Sequence, residues 1–327
     1  VTLGLVIGKF YPPHRGHKHL IDTASAQCDH LIVIICDHVS QVVPGERRLE
    51  WFREIHPGAD IRVVPDELEN DSKQWADWTV NYLGRAPDVV FTSEDYGPVY
   101  ARLMGSRHVM VDQSRITVPV SGTAVRADPL AMLPLVEPCV RSFLVPRVVV
   151  VGAESTGKTT LTEKLAAHFQ TSWVPEYGRE HWERKIAKWD IAIRPSWTAD
   201  EFLHIAIEQQ RRENLAARSS PGPLFCDTNA TATGTWFERY MNCRSPEVDA
   251  IGSRDVVDLY LLTAVDVPFV QDGFRDGEHI RHWMHRRFRE TLGGGAVRVV
   301  EISGDWSQRF ATAERATRNF LGKFRRF

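Results

Sequence analysis

A chain of 327 residues is long for one hydrophobic core, so two domains are expected. With 43% hydrophobic and 25% charged residues and a formal net charge of -2, it is globular, and its overall charge gives no reason to bind nucleic acid or an anionic membrane. The five cysteines are scattered with no C-x-x-C, as in a reducing, cytoplasmic compartment, and neither a membrane span nor a basic signal-peptide start is present.

In chain order, LGLVIG (3–8), HLIVIIC (30–36), IRVVP (61–65), DVVFTS (88–93) and HVMV (108–111) read as buried strands. The stretches between them are long enough for crossover helices, which implies βαβ units and a parallel sheet. The first strand runs into GKFYPPHRGH (8–17). In a parallel sheet that turn lies at the carboxyl ends of the strands, where ligands bind, and the following helix start favours phosphate. Pro12 and Pro13 stiffen the turn and Gly16 allows close approach. His14 and His17, three apart, can both point into that pocket and donate hydrogen bonds to a reacting phosphate.

This stretch closely resembles the signature of the nucleotidyltransferase superfamily, which moves a nucleotidyl group from ATP or CTP to an acceptor phosphate. The resemblance implies that Gly8, Lys9 and Phe10 meet the nucleotide. It also implies a second signature late in the domain, matched by VSGTAVRAD (120–128). There Ser121, Gly122 and Thr123 would offer hydroxyl and N–H groups to the triphosphate, and Arg126 would meet its outer charge. The acceptor candidates are nicotinamide mononucleotide (NMN), phosphopantetheine, FMN and phospho-alcohols. Trp75 and Trp78, at a loop-to-helix start, would stack on a flat cationic ring such as nicotinamide. GERRLEW (45–51) sets Arg47 and Arg48 after another strand, near phosphates, and FTSEDYG (91–97) could meet adenine.

The rhythm breaks where Pro129, Pro134, Pro138 and Pro146 cluster, and a new run begins at RVVVVG (147–152), placing domains at 1–144 and 145–327. Further strands are expected at SWVPE (172–176), LFCDT (224–228), LYLLTAV (259–265) and VRVVEIS (297–303), with an amphipathic stretch around Glu201–Arg218. The fold class is α/β: two tandem doubly wound parallel-sheet domains, a Rossmann-like nucleotidyltransferase and then a P-loop kinase. GAESTGKTT (152–160) carries Gly152, Gly157, Lys158 and Thr159 at P-loop spacing. Its backbone, through Glu154, Ser155, Thr156 and Thr160, would cradle phosphates; Lys158 would meet the outer ones and Thr159 would reach Mg²⁺. Asp227, at a strand end, would be a second metal-shell group.

A transferase fused to a kinase suggests that the kinase makes the transferase's acceptor. The whole chain resembles the NadR family, which joins NMN adenylyltransferase to ribosylnicotinamide kinase, through GKFYPPHRGH, SGTAVR, GAESTGKT, VPEYGRE and the lid-like VPFVQDGFR. The resemblance implies that ATP and nicotinamide riboside give NMN and ADP in the second domain. NMN and ATP would then give NAD⁺ and pyrophosphate in the first. Glu176 or Asp227 would serve as base for the ribose hydroxyl, Arg275 on the lid would neutralise charge, and Arg179 and Glu180 would bind phosphate or riboside. Asp227-Thr228-Asn229 departs from the expected pattern, since a second acid is awaited there. No helix-turn-helix precedes the first strand of this sequence, so no direct DNA binding is expected. Two alternatives stand beside this reading: a sensor of NAD⁺ and ATP with one decayed activity, and an adenylyltransferase–kinase for a flavin or pantetheine compound. Oligomeric state, a homo-oligomer included, stays open.

Overall fold

Near-continuous runs of Val, Ile and Leu make strands that are buried on both faces, and each half of the chain pairs five of them in parallel. The computed structural model describes residues 1–69, 71–187, 196–271 and 277–327. Contacts divide the chain into Val1–Leu144 with Arg325–Phe327, and Val145–Phe324.

In the first unit the strands are β1 (Leu3–Gly8), β2 (His30–Asp37), β3 (Asp60–Pro65), β4 (Val89–Thr92) and β5 (Arg107–Met110), ordered β3-β2-β1-β4-β5. β1 is central, with Leu3 opposite His30 and Gly8 opposite Ile35. Val6, Val33 and Phe91 pack on one face with Phe52, while Leu5, Ile34 and Val90 pack on the other with Tyr100. The chain leaves β1 in opposite directions toward β2 and β4, so the crevice at the carboxyl ends of β1 and β4 is a switch point that favours ligands. The proline-rich stretch is packed rather than extended. It forms a 3₁₀ turn (Leu133–Leu135) and a helix (Pro138–Leu144) that bury Leu133, Val136, Val140 and Leu144.

The second unit has β6 (Arg147–Gly152), β7 (Trp173–Val174), β8 (Leu224–Asp227), β9 (Leu259–Thr263) and β10 (Arg298–Ile302), ordered β10-β9-β6-β8-β7. β7 is shorter than the expected 172–176 because Pro175 follows it and cannot extend a ladder. β6 pairs with β8, Val150 opposite Asp227, which sets that acid beside the strand that leads into the P-loop. The expected amphipathic stretch is the helix Ala199–Ala217, closed at its start by a capping box between Thr198 and Glu201. Among the described residues, no helix is long and apolar enough to cross a membrane.

Candidate active sites

β1 ends at Gly8, and Phe10 turns the chain in the left-handed region (φ 46°). Its ring is buried edge-on to His17 (4.9 Å) and Phe52 (5.0 Å), so an apolar prop fixes the turn. His14 caps the helix Arg15–Ser25. The His17 N–H donates to His14 Nδ1 and the His14 N–H to His17 Nδ1, both at 3.3 Å. A ring nitrogen that accepts is unprotonated, which leaves Nε2 as the proton-bearing atom of each neutral imidazole. The two rings stack at 3.6 Å. Burial, aided by Arg115, lowers His14 to about 4, and burial with His14 and Arg115 holds His17 well below the usual imidazole range. Both rings are therefore neutral donors at pH 7 rather than standing cations.

His17 faces a cavity of about 1040 Å³ that Gly8, Lys9, Phe10, Trp75, Ser121, Gly122, Thr123 and Arg126 also line. Ser121 caps the helix Gly122–Ala127, its Oγ accepting from Ala124 N–H at 3.1 Å. Arg126 donates to the Tyr11 carbonyl and to Thr123 Oγ1. A Cβ on Gly122 would stand 2.8 Å from the Tyr11 carbonyl oxygen, so glycine is what lets the two signature segments close on each other. His14, expected to point into this pocket, does not line it and meets it only through its stack on His17, and other expected residues lie elsewhere. Arg47 pairs with Glu50 on the helix Gly45–Ile55 and does not line the cavity; its neighbour Arg48 turns inward instead. Trp75 and Trp78, one helical turn apart, both pack against the core, but Trp78 stacks on Tyr82 at 4.8 Å and does not line the cavity.

The P-loop joins β6 to the helix Lys158–His168. Gly157 is left-handed (φ 81°), and a Cβ there would meet Trp306 at 2.3 Å. Thr156 Oγ1 donates to Ala153 O at 2.7 Å, and Lys158 Nζ donates to the same oxygen at 3.1 Å. Thr159 Oγ1 donates to Asp227 Oδ2 at 2.5 Å, while Asp227 Oδ1 is buried with no hydrogen-bond partner. Burial pushes Asp227 upward against the pull of Lys158 and Thr159. Glu176 precedes the helix Tyr177–Ile186 without capping it, and lines the same cavity as the loop. Burial raises its carboxyl to about 7, opposed by Lys158 and reinforced by Asp227. That cavity, about 420 Å³, includes Glu154, Ser155, Thr156, Thr160 and Arg179. Glu180 instead pairs with Arg212 and Arg184. Asn229, where a second acid is expected, caps the helix Ala230–Met241 and donates from Nδ2 to the Tyr260 hydroxyl at 3.0 Å. Arg275 and the rest of the 272–275 part of the lid-like segment lie outside the described residues.

Arg48, expected near phosphates with Arg47, does not line the cavity either: it is fully buried and donates to Lys9 O, to Cys36 O at 3.2 Å, to Asp37 and to Gln41 at 2.6 Å. Sequence reading missed several residues. Tyr11 lies under two guanidinium groups, 5.7 Å from Arg48 and 5.3 Å from Arg126. In the second unit an aromatic wall closes the cavity: Trp182 stacks on Trp197 at 4.5 Å, with Phe202, Trp236 and Tyr240 around them. These rings come from three helices and a loop, so no local spacing announces them.

Residues 5–128 match the Cytidylyltransferase-like family and residues 147–309 an AAA domain family. The chain is 28% identical to the trifunctional NAD biosynthesis/regulator protein NadR of Escherichia coli (strain K12), over 99% of this chain and 84% of that relative. It is 27% identical to the NadR protein of Salmonella typhimurium over 98% of this chain. A nicotinamide-nucleotide adenylyltransferase of Methanocorpusculum labreanum is 32% identical over 38% of this chain and 76% of its own length. A crystal structure of NadR protein in complex with NR superposes with a TM-score of 0.79 at 20% identity, covering 99% of this chain and 97% of that one, a likeness of fold. With a nucleotidyltransferase-like unit followed by a P-loop unit, each built around its own signature loop, this chain belongs to the NadR family.

Proposed function

We propose that the chain is a bifunctional enzyme of NAD⁺ synthesis. Its second unit phosphorylates nicotinamide riboside with ATP, giving NMN and ADP. Its first unit transfers the adenylyl group of a second ATP to NMN, giving NAD⁺ and pyrophosphate. The observation that carries this reading is the aromatic wall of Trp182, Trp197, Trp236 and Tyr240 beside Lys158 and Glu176. A flat pyridinium cation gains most from stacked indoles in a half-closed pocket. A ribose hydroxyl held there would find a carboxylate raised to about 7, suited to taking its proton. The names of the full-length relatives support the same pathway.

In the kinase step the riboside 5′-oxygen attacks the γ-phosphorus and the bond to the β-phosphate oxygen breaks. Glu176 receives the hydroxyl proton, and Lys158 with the loop amides holds the phosphates. Asp227 and Thr159 fit a magnesium ion: their oxygens are hard donors, and Asp227 Oδ1 is buried without a protein partner. Magnesium bound there would neutralise phosphate charge. In the transferase step an oxygen of the NMN phosphate attacks the α-phosphorus of ATP and pyrophosphate leaves. His17 donates from Nε2 to the reacting phosphate, His14 orients it by stacking and capping, and Ser121, Thr123 and Arg126 bind the leaving end.

The test is to incubate the protein with ATP, Mg²⁺ and nicotinamide riboside and to identify products by mass spectrometry. NMN and then NAD⁺ are expected. Turnover of a flavin or pantetheine compound without conversion of either nicotinamide substrate would overturn the reading.

A further inference from the structure

Glu154, third residue of the phosphate loop, has both carboxylate oxygens engaged by protein. Oε1 accepts from the Arg239 guanidinium at 2.7 Å and Oε2 from the Gly277 N–H at 2.8 Å. The two side chains of this ion pair are 13% and 5% exposed. Gly277 presses on the pair: a Cβ there would stand 2.7 Å from Glu154 Oε2 and 2.8 Å from Arg239. Arg239 lies on the helix Ala230–Met241, which also carries Trp236 and Tyr240, and its guanidinium covers both rings, at 5.3 and 4.5 Å.

The backbone of the loop has braces of its own. Arg281, buried, donates to the carbonyls of Glu154, Ser155 and Val267, and Arg309 donates to that of Thr156 at 3.0 Å. The Glu154 side chain therefore adds something different: it joins the loop that would hold phosphates to the aromatic wall that would hold the nucleoside.

From this geometry we infer that Glu154 and Arg239 are a coupling pair, which makes ATP and the nucleoside bind the second unit cooperatively. The inference rests on the kinase reading of that unit. Both side chains are almost out of water, so parting the pair is costly and its members move together. A shift of the loop amides onto phosphate carries Glu154, and Arg239 carries the rings stacked beneath it. Linkage requires the effect to be reciprocal: each ligand tightens the other by one common factor.

Isothermal titration of nicotinamide riboside with and without AMP-PNP, and of AMP-PNP with and without riboside, measures that factor. About fivefold or more is expected in the wild type, equal in both directions. In Glu154→Gln and in Arg239→Gln the factor should fall to near one. The double variant should lose no more than either single, because one interaction is removed once. A wild-type factor of one, or a folded Glu154→Gln that keeps the wild-type factor, overturns the pair. Should Glu154→Gln not fold, Gly277→Ala parts the same groups sterically and must show the same loss. If the wild type binds no riboside even with AMP-PNP, the kinase reading fails instead. The coupling is then decided by the AMP-PNP-dependent fluorescence of Trp236, taken as the difference from Trp236→Phe. That signal should vanish in Glu154→Gln, and its persistence overturns the inference.

Discussion

At the scale of single residues, the two histidines hold each other. Each Nδ1 accepts the other's backbone N–H, so the proton of each neutral ring sits on Nε2. On the proposed mechanism His17→Ala removes one donor to the reacting phosphate, worth about 3 kcal/mol or roughly a hundredfold in rate. NAD⁺ formation from NMN should fall by that factor with circular dichroism unchanged. Glu176 invites a different measurement. A base raised to about 7 is largely protonated at pH 6, so kinase kcat/KM should climb as pH rises through 7. Glu176→Gln should lower the rate at least a hundredfold and abolish the climb; a retained climb would move the base role to Asp227. The adjacent arginines show the limit of reading letters. Arg47 and Arg48 are indistinguishable in sequence, and only the helix phase decides that Arg48 is buried against Lys9 and Asp37 while Arg47 pairs with Glu50.

At the scale of elements, helix starts do most of the positioning. His14, Ser121 and Asn229 each accept a backbone N–H from the first turn of a helix beside a cavity. The helix Ala199–Ala217 has a less common feature, Glu213, fully buried on the face turned to the sheet. Its carboxyl accepts from Gln209 Nε2 at 2.9 Å, and Gln209 accepts in turn from Tyr177 N–H at 2.9 Å. Burial, with Asp255 nearby, raises it to about 8. The folded state therefore keeps a proton that the unfolded chain has released. Stability falls as pH rises from the unfolded value near 4.5 through about 8. Glu213→Gln keeps the shape and removes the proton, so thermal melts of this variant should lose that decline and exceed wild type above pH 8. A parallel decline in the variant would show that another group is responsible.

At the scale of the whole molecule, each cavity is lined from one unit alone, residues 7–126 for the first and 154–240 for the second. The activities should separate cleanly. Lys158→Ala should slow NMN formation from nicotinamide riboside a hundredfold or more while conversion of supplied NMN to NAD⁺ stays near wild type. His17→Ala should show the mirror pattern, with NMN accumulating. Loss of both steps from either substitution in a folded protein would mean one composite site. The sequence by itself determined the ten strands, the tandem α/β order and both phosphate loops, because those features are local: apolar runs, and glycines and histidines at fixed short spacings. The tertiary structure alone decided that Trp75 and not Trp78 faces the first cavity. It alone assembled the aromatic wall of the second from residues 182 to 240, and it alone tied Glu154 to Arg239 across 85 positions. Such groups meet only when parallel strands bring their carboxyl ends together, and no short window of sequence encodes that meeting.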